Sequence, residues 1–369
     1  MRVATKEGTE RFRSRAPVHE SAFAEVPWGP IGSSIGLGTY LGASDDATDG
    51  LYEEAIARAL ERGINVFDTA LNYRCQRSEH VLGRVLRKAF AAGRLQRDEV
   101  IVMSKVGFLP YDGAPPAQRG RYLLEAFVEP GIVEAGEIVQ GHHVLSGRFV
   151  RHGLGLSLAN LGLESLDVYF LHNPEVQLGQ VSRPTFLARL REAIVALEEA
   201  CQAGRIRVWG VATWDGLRQP PHAPDHLSLE TIAQLAREIA GDGHHFGAIQ
   251  LPFNLAMPQA LTRKTQRLGG EELTVFEAAR RLRLAVFTSA SLHEGRLLSR
   301  KLPEAFAKAL PGATMQAARM LQFLRSTPGL TSVLVGMKQA AHVEANAEVL
   351  RLPRSSSAEL EGARRALRG

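Results

Sequence analysis

The chain has 369 residues, of which 45% are hydrophobic and 22% charged, a composition typical of globular proteins that contains no apolar run of membrane-spanning length. The net charge of +5 is spread over 44 basic and 39 acidic residues, and no basic run is interleaved with aromatic residues, so we expect neither a membrane nor a nucleic-acid partner. Two distant cysteines, Cys75 and Cys201, favour a reducing compartment over a disulfide framework. We expect a cytoplasmic monomer or homo-oligomer.

The N-terminal segment shows no clear periodicity over residues 1–30. Its first ten residues are predicted to be mobile and residues 23–30 to form a short hairpin. Residues 33–40 predict the first strand of a larger sheet, and Gly36 and Gly38 within it permit close backbone approach.

The second predicted strand ends in an acid. A helix predicted over residues 50–62 closes at Gly63, and residues 64–67 are apolar enough for a fully buried strand. Asp68 follows directly, and Tyr73 comes five residues later. Because an unpaired buried carboxylate is costly, Asp68 requires a cation from a neighbouring strand.

The next two predicted strands supply such a group and a further polar one. Residues 100–105 end in Lys105, and residues 167–172 end in His172. Each residue alone has an ordinary structural explanation, but catalytic sites of parallel barrels draw on several strand ends. The pattern therefore predicts that Asp68, Tyr73, Lys105 and His172 meet at one rim.

A long insertion separates the third and fourth predicted strands. Residues 110–145 contain several Pro- and Gly-marked turns and little periodicity. Because the insertion leaves from the predicted active-site face, we expect it to cover the substrate mouth. It contains His142 and His143, but no further ligands at metal-binding spacing are evident, so we expect loop-packing or exposed histidines and no metal.

The remainder alternates between short apolar runs and amphipathic helices. Further strands are predicted at 208–213, 248–251, 284–289 and 332–336, with helices between them. Eight alternations predict one (β/α)8 TIM barrel over residues 33–352, within a single domain of residues 1–369. We expect an N-terminal capping segment and a C-terminal helix over residues 356–368.

The four strand-end residues, in this order, resemble the aldo-keto reductase family. In that family an Asp, Tyr, Lys and His tetrad at the C-terminal mouth of a (β/α)8 barrel reduces carbonyls with NADPH. The resemblance implies that Tyr73 is the general acid and that Lys105 lowers its pKa. Asp68 would anchor Lys105, and His172 would orient the substrate carbonyl.

The resemblance also implies a set of cofactor-binding residues along the later strand ends. They are Gly38, Thr39, Tyr40, Asp68, Thr213, Gln250, Ser289, Ala290, Ser291, Leu292, Arg300, Gly336, Lys338, His342 and Asn346. Phe253 stands at the place of the aromatic residue that stacks on the nicotinamide. Lys338 suits a 2′-phosphate, which favours NADPH over NADH. Ala345 replaces the usual Glu, and His342 the usual Arg or Gln.

We therefore expect NADPH-dependent reduction of an aldehyde, ketone or sugar-like carbonyl, with a small-molecule carbonyl as partner. Two alternatives stay open. The protein is an NADPH-binding regulatory subunit with little turnover, or it is a lyase or epimerase that uses the same tetrad.

Overall fold

The computed structural model describes residues 2–368. Near the N-terminus the chain forms a helix, so the prediction that the first ten residues are mobile is wrong. Helix α1 (Lys6–Arg15) begins at Thr5, whose side chain accepts a hydrogen bond from the Gly8 amide. The amide of Ala4 donates to Asp167 Oδ1 over 2.7 Å. Phe12 is the large apolar residue that this helix buries, and one such residue gives no readable periodicity.

A short antiparallel hairpin follows, as predicted. Strands β1 (Phe23–Glu25) and β2 (Ile31–Ser33) pair. The chain between them places Val26 in an apolar cluster with Val66 and Ile101. Because Val66 and Ile101 stand at the starts of their strands, the hairpin closes the N-terminal end of the barrel.

The main sheet is a closed barrel of eight parallel strands. Ten strands follow the hairpin: β3 (Ile35–Gly38), β4 (Val66–Asp68), β5 (Ile101–Val106), β6 (Leu166–His172), β7 (Ile206–Ala212), β8 (Phe246–Pro252), β9 (Lys264–Leu268), β10 (Glu271–Thr274), β11 (Ala285–Ser289) and β12 (Ser332–Gly336). All except β9 and β10 form the barrel, in the order β11-β12-β3-β4-β5-β6-β7-β8. The predicted (β/α)8 barrel is confirmed.

Helices surround this barrel. They are α2 (Asp46–Glu61), α3 (Arg77–Ala91), α4 (Arg119–Leu123), α5 (Gly147–Leu161), α6 (Arg183–Gln202), α7 (Leu229–Ala240), α8 (Gln259–Thr262), α9 (Val275–Arg281), α10 (Glu304–Ala309), α11 (Gln316–Ser326), α12 (Ala340–Ala347) and α13 (Ser357–Arg368). None of the helices in residues 2–368 combines the length and the apolar character that a bilayer crossing requires.

Local signals in the sequence set the bounds of the unit that carries Asp68. Helix α2 begins at Asp45, whose side chain accepts from the Thr48 amide. It is followed by Gly63 at φ +80°, a conformation that glycine adopts without strain. All three residues of β4 are buried, as expected for a parallel strand covered on both faces.

The insertion is ordered, which the sequence did not indicate. It contains α4, a π-helical turn at Leu124–Val128 and a 3₁₀ turn at Ala135–Glu137. Phe127 is buried and its ring meets that of Phe149 edge-on at 6.2 Å. The helical segments of the insertion are too short to show a helical period, so the sequence predicted a loop.

The hairpin of β9 and β10 is a second element that the sequence analysis missed. Gly269 and Gly270 join its strands, both at positive φ. A Gly-Gly pair between two polar-apolar runs is a hairpin signal. Gln266 ties the hairpin to the start of α7 by accepting from the Leu229 amide over 2.9 Å.

Candidate active site

The C-terminal ends of three neighbouring strands bring the predicted tetrad together. Asp68 ends β4, Lys105 lies near the end of β5, and His172 ends β6. The strands pair in that order, so their carboxyl ends meet at one rim. Tyr73 reaches the same rim from the turn that follows β4.

Lys105 is fully buried and uses all three of its donors. Its Nζ lies 2.8 Å from Asp68 Oδ2, 2.7 Å from the carbonyl oxygen of Thr69 and 3.2 Å from Tyr73 Oη. An ammonium has three hydrogens, so the group is satisfied. Burial lowers the pKa of Lys105, and the carboxylate of Asp68 opposes this by favouring the charged form.

Asp68 has a second partner that the sequence did not reveal. Gln250 Nε2 donates to Asp68 Oδ1 over 2.8 Å. Both oxygens of the carboxylate are therefore held, one by Lys105 and one by Gln250. Gln250 was predicted beside the nicotinamide; it lines the same cavity, but its amide group also fixes the acid.

Burial raises the pKa of Tyr73 well above its usual range, and the negative charge of Asp68 adds to this effect. The role of Lys105 in easing proton release from Tyr73 stays a prediction, because burial and Asp68 set the net direction of this pKa. Tyr73 is a neutral phenol. Because Lys105 donates to Oη, the hydroxyl proton of Tyr73 is free to point elsewhere.

His172 is a neutral imidazole at the edge of the cavity. Burial and the nearby charge of Lys105 hold the pKa of His172 well below its usual range. Its ring meets Tyr73 edge-on at 5.7 Å and Phe108 at 5.0 Å. Its buried Nδ1 has no hydrogen-bond partner among residues 2–368.

The turn after Tyr73 has three consecutive left-handed residues without a glycine. Arg74, Cys75 and Gln76 have φ values of 50°, 55° and 69°, and each costs on the order of 1 kcal/mol in this region. Arg74 pairs with Asp49 and donates to the Ala43 carbonyl over 2.7 Å. Side-chain contacts therefore hold the turn that positions Tyr73.

Two further contacts fasten this turn, and both come from elements that the sequence did not connect with it. Gln76 Nε2 donates to the Tyr111 carbonyl over 3.1 Å, and Gln76 Oε1 accepts from Asn160 over 3.0 Å. Ser78, in the first turn of α3, donates its hydroxyl to the Thr39 carbonyl over 2.8 Å.

A cavity of about 700 Å³ extends from the tetrad to the end of β12. Tyr73 and His172 lie at one end, and Lys338 and Asn346 at the other. Most of the predicted cofactor residues line it: Gly38, Tyr40, Asp68, Thr213, Gln250, Ser289, Ala290, Ser291, Leu292, Gly336, Lys338, His342 and Asn346. Phe108, Asn72, Asn173 and Trp214 also line it and were not predicted.

Three of the residues predicted to contact the cofactor lie outside the cavity lining. Thr39 is buried and its hydroxyl donates to the Asp68 carbonyl over 3.2 Å, so it supports the strand end. Arg300 is exposed at the end of a 3₁₀ segment. Phe253 is buried against Phe276 at 5.0 Å, so it cannot stack on a bound ring.

The predicted covering of the mouth by residues 110–145 is also wrong, because none of these residues lines the cavity. The insertion packs toward α6 instead. Arg189 on α6 donates to the carbonyl of Gly136 over 2.8 Å. Among residues 2–368 there is no group of three His, Cys, Asp or Glu side chains that could hold a metal ion.

The cavity fits an elongated polar cofactor. Thr213 Oγ1 is buried without a hydrogen-bond partner among residues 2–368. Lys338 forms no salt bridge with any acidic side chain of residues 2–368. Glu344 on the adjoining helix does not neutralise it, because Glu344 is paired with Arg58 and Arg62. A cation that remains free at the end of a cavity suits an anionic group such as a phosphate.

The family model of the Aldo/keto reductase family matches residues 34–230. The chain belongs to the aldo/keto reductase family. The match includes Asp68, Tyr73, Lys105 and His172.

Among related proteins, the NADH-specific methylglyoxal reductase of Escherichia coli (strain K12) is 28% identical over 188 residues. The matched part is 50% of this chain and 49% of that protein, so the chain spans about half the length of this curated relative.

Solved structures with the same fold match nearly the whole chain. An aldo/keto reductase from Klebsiella pneumoniae in complex with NADP and acetate is 20% identical, with a TM-score of 0.62 over 94% of this chain and 96% of that one. A glycerol dehydrogenase from Gluconobacter oxydans is 18% identical, with a TM-score of 0.63 over 95% and 96% of the two chains. Both share the barrel fold.

Proposed function

We propose that this protein reduces a carbonyl to an alcohol with a nicotinamide cofactor and that Tyr73 donates the proton. The observation that carries the proposal is the contact of 3.2 Å between Lys105 Nζ and Tyr73 Oη, with Asp68 on the other side of the ammonium at 2.8 Å. Tyr73 is thus a neutral proton donor beside the fixed positive charge of Lys105, at the end of a cavity that suits a dinucleotide.

The tetrad divides the chemistry among its members. A bound reduced nicotinamide supplies the hydride. Tyr73 gives its hydroxyl proton to the carbonyl oxygen as negative charge develops there. Lys105 then stabilises the phenolate that Tyr73 becomes, since the ammonium already donates to Oη. Asp68 keeps Lys105 charged.

His172 orients the substrate in this proposal. Its neutral ring offers one N–H donor to a carbonyl oxygen, beside the Tyr73 ring. Two donors that converge on one oxygen define both the position and the direction of the carbonyl.

We propose NADPH as the cofactor. Lys338 supports this choice, because a free ammonium near the end of the cavity favours a 2′-phosphate. The relatives point in two directions: the Klebsiella pneumoniae structure contains NADP, whereas the Escherichia coli protein is named NADH-specific. The substrate in this proposal is a small carbonyl compound, and the active form is a cytoplasmic monomer or homo-oligomer.

The test is titration of the purified protein with NADPH and NADH by tryptophan fluorescence, followed by turnover of methylglyoxal and a panel of aldehydes and ketones. We expect NADPH to bind and to be consumed in equal amount with alcohol formed. Binding without consumption on any carbonyl would instead indicate a regulatory subunit. Product formation without net consumption would indicate a lyase or epimerase.

A further inference from the structure

His143, in the insertion, lies directly behind His172. It is fully buried and outside the cavity lining. Its Nε2 lies 2.8 Å from the carbonyl oxygen of His172, the last residue of β6. An imidazole that the insertion supplies therefore contacts the backbone of a predicted site residue.

The partners of His143 select one neutral tautomer. The His172 carbonyl only accepts, so Nε2 of His143 carries the proton. Gln177 Nε2 lies 3.0 Å from Nδ1 of His143 and only donates, so Nδ1 is the acceptor. Burial agrees with this assignment, since it lowers the pKa of His143 to about 4.

The orientation of Gln177 is itself fixed. Its Oε1 accepts from Arg189 over 2.6 Å, and its Nε2 also donates to the His143 carbonyl over 3.2 Å. Reversal of the amide would place its NH2 group against the Arg189 guanidinium. The titratable or charged groups that face the His143–Gln177 pair are His142, His172 and Arg189.

The close approach of the two histidines is built into the strand ends. A side chain at Gly107 would place its Cβ 2.5 Å from the His172 carbonyl oxygen and 3.1 Å from Nε2 of His143. Phe108 fills the remaining space, with its ring edge-on to both His143 and His172 at 4.9 and 5.0 Å. A side chain at position 107 would therefore disrupt this hydrogen bond.

We propose that His143 is a positioning residue for His172. The insertion holds the carbonyl of His172 through one neutral imidazole and so fixes the backbone from which the His172 ring enters the cavity. The kinetic part of this inference rests on the proposed function; the structural part does not.

Two variants and a matched control test it. His143→Phe removes the hydrogen bond but keeps a ring of similar shape. Gln177→Glu keeps His143 and replaces the donor to its Nδ1 with an acceptor, which favours a doubly protonated ring. His142→Phe is the control, because His142 is adjacent and stacks on the same Phe108, and within residues 2–368 its side chain hydrogen bonds only to the carbonyl of Gln140.

The first measurement needs no substrate. In nitrogen-15 histidine spectra, we expect His143 to be the Nε2–H tautomer at neutral pH and His172 signals to shift in His143→Phe but not in His142→Phe. Gln177→Glu should show both His143 nitrogens protonated. A His143 protonated only on Nδ1, or His172 signals equally unaffected in both phenylalanine variants, would overturn the inference.

The second measurement is kinetic, with NADPH and the best carbonyl of the panel. We expect kcat of His143→Phe to fall about tenfold to a hundredfold, as for a displaced catalytic group, with KM and NADPH affinity nearly unchanged. Gln177→Glu should add an ionisation to the pH profile of kcat, and it supplies the result if His143→Phe does not fold. Equal kcat in His143→Phe and His142→Phe contradicts the inference. Failure of the wild type to turn over any carbonyl refutes the proposed function alone, and the spectra still decide the positioning.

Discussion

The phenol oxygen of Tyr73 lies 3.2 Å from the ammonium nitrogen of Lys105. The two residues come from the turn after β4 and from β5, and Asp68 joins them by holding the same nitrogen at 2.8 Å. In this geometry the lysine occupies a lone pair of the phenol and leaves its proton available to the cavity. The proposed reaction depends on that arrangement.

Replacement of Lys105 should damage both folding and turnover. In Lys105→Met the fully buried Asp68–Lys105 pair loses its cation, and a buried carboxylate without its partner costs about 3–5 kcal/mol. We expect urea denaturation to show a loss of this order and kcat to fall at least about a hundredfold. Asp68→Asn combined with Lys105→Met should recover part of the stability but none of the turnover. Equal stability of the single and double variants would contradict the charge argument.

Arg74 should affect turnover indirectly, because it holds the left-handed turn that positions Tyr73 and does not itself line the cavity. Arg74→Ala removes the pair with Asp49 and the hydrogen bond to the Ala43 carbonyl. We expect kcat to fall about tenfold, as when a catalytic group is misplaced, while NADPH affinity stays nearly constant. Arg267→Ala is the control, since Arg267 pairs with Glu272 on the surface of the β9–β10 hairpin. Parallel changes in both variants would argue against a role for the turn.

Lys338 should determine the preference for NADPH. Its removal in Lys338→Ala deletes one charge-assisted contact to a 2′-phosphate, so the Kd for NADPH should rise about tenfold and that for NADH should not change. Arg300→Ala tests a point on which the family resemblance and the structure disagree. The resemblance implies that Arg300 binds the cofactor, whereas Arg300 lies outside the cavity lining. We expect it to leave both Kd values unchanged in fluorescence titrations. A larger effect of Arg300→Ala than of Lys338→Ala would reverse our assignment.

Glu175 should make stability depend on pH. Its Oε1 accepts from the amides of Trp214 and Asp215 over 2.6 and 3.2 Å, and its Oε2 is buried without a partner among residues 2–368. Burial raises the pKa of Glu175 from its usual 4.5 to about 7. Between these values the folded state binds the proton more tightly, so this group's contribution to stability falls as pH rises from about 4.5 to about 7 and then stays low.

The variant Glu175→Gln removes this titration. Its unfolding free energy relative to the wild type should therefore be higher at about pH 8 than at about pH 5, with a difference of up to about 3 kcal/mol for the full shift. Urea denaturation of both proteins at the two pH values measures it, and the comparison cancels the other titrating groups. A difference that is constant with pH, or larger at low pH, would show that Glu175 is not a proton-binding group in the folded state.

The tetrad was predictable because each strand end is marked by one polar residue after an apolar run. Asp68, Lys105 and His172 stand out for that reason, and the parallel barrel then brings them together. The contacts that hold them are not visible in sequence. The Gln250–Asp68 and His143–His172 hydrogen bonds join distant segments, and the direction of the insertion depends on tertiary packing that has no local period.

The left-handed turn shows a second limit. Sequence rules look for glycine at positive φ, and residues 74–76 contain none. Here the conformation is imposed by the buried anchors of Arg74 and Gln76. Likewise the raised pKa of Tyr73 follows from burial and from the charge of Asp68, and both require distances that a sequence does not contain.

The most direct test of the account is the variant Tyr73→Phe, which removes one oxygen from the site and keeps the ring. We expect NADPH to bind as in the wild type and carbonyl reduction to fall at least about a hundredfold, as for loss of a general acid. Tyr122→Phe, a partly buried position in the insertion outside the cavity lining, should behave as the wild type. Wild-type turnover by Tyr73→Phe would contradict the proposal that this phenol supplies the proton.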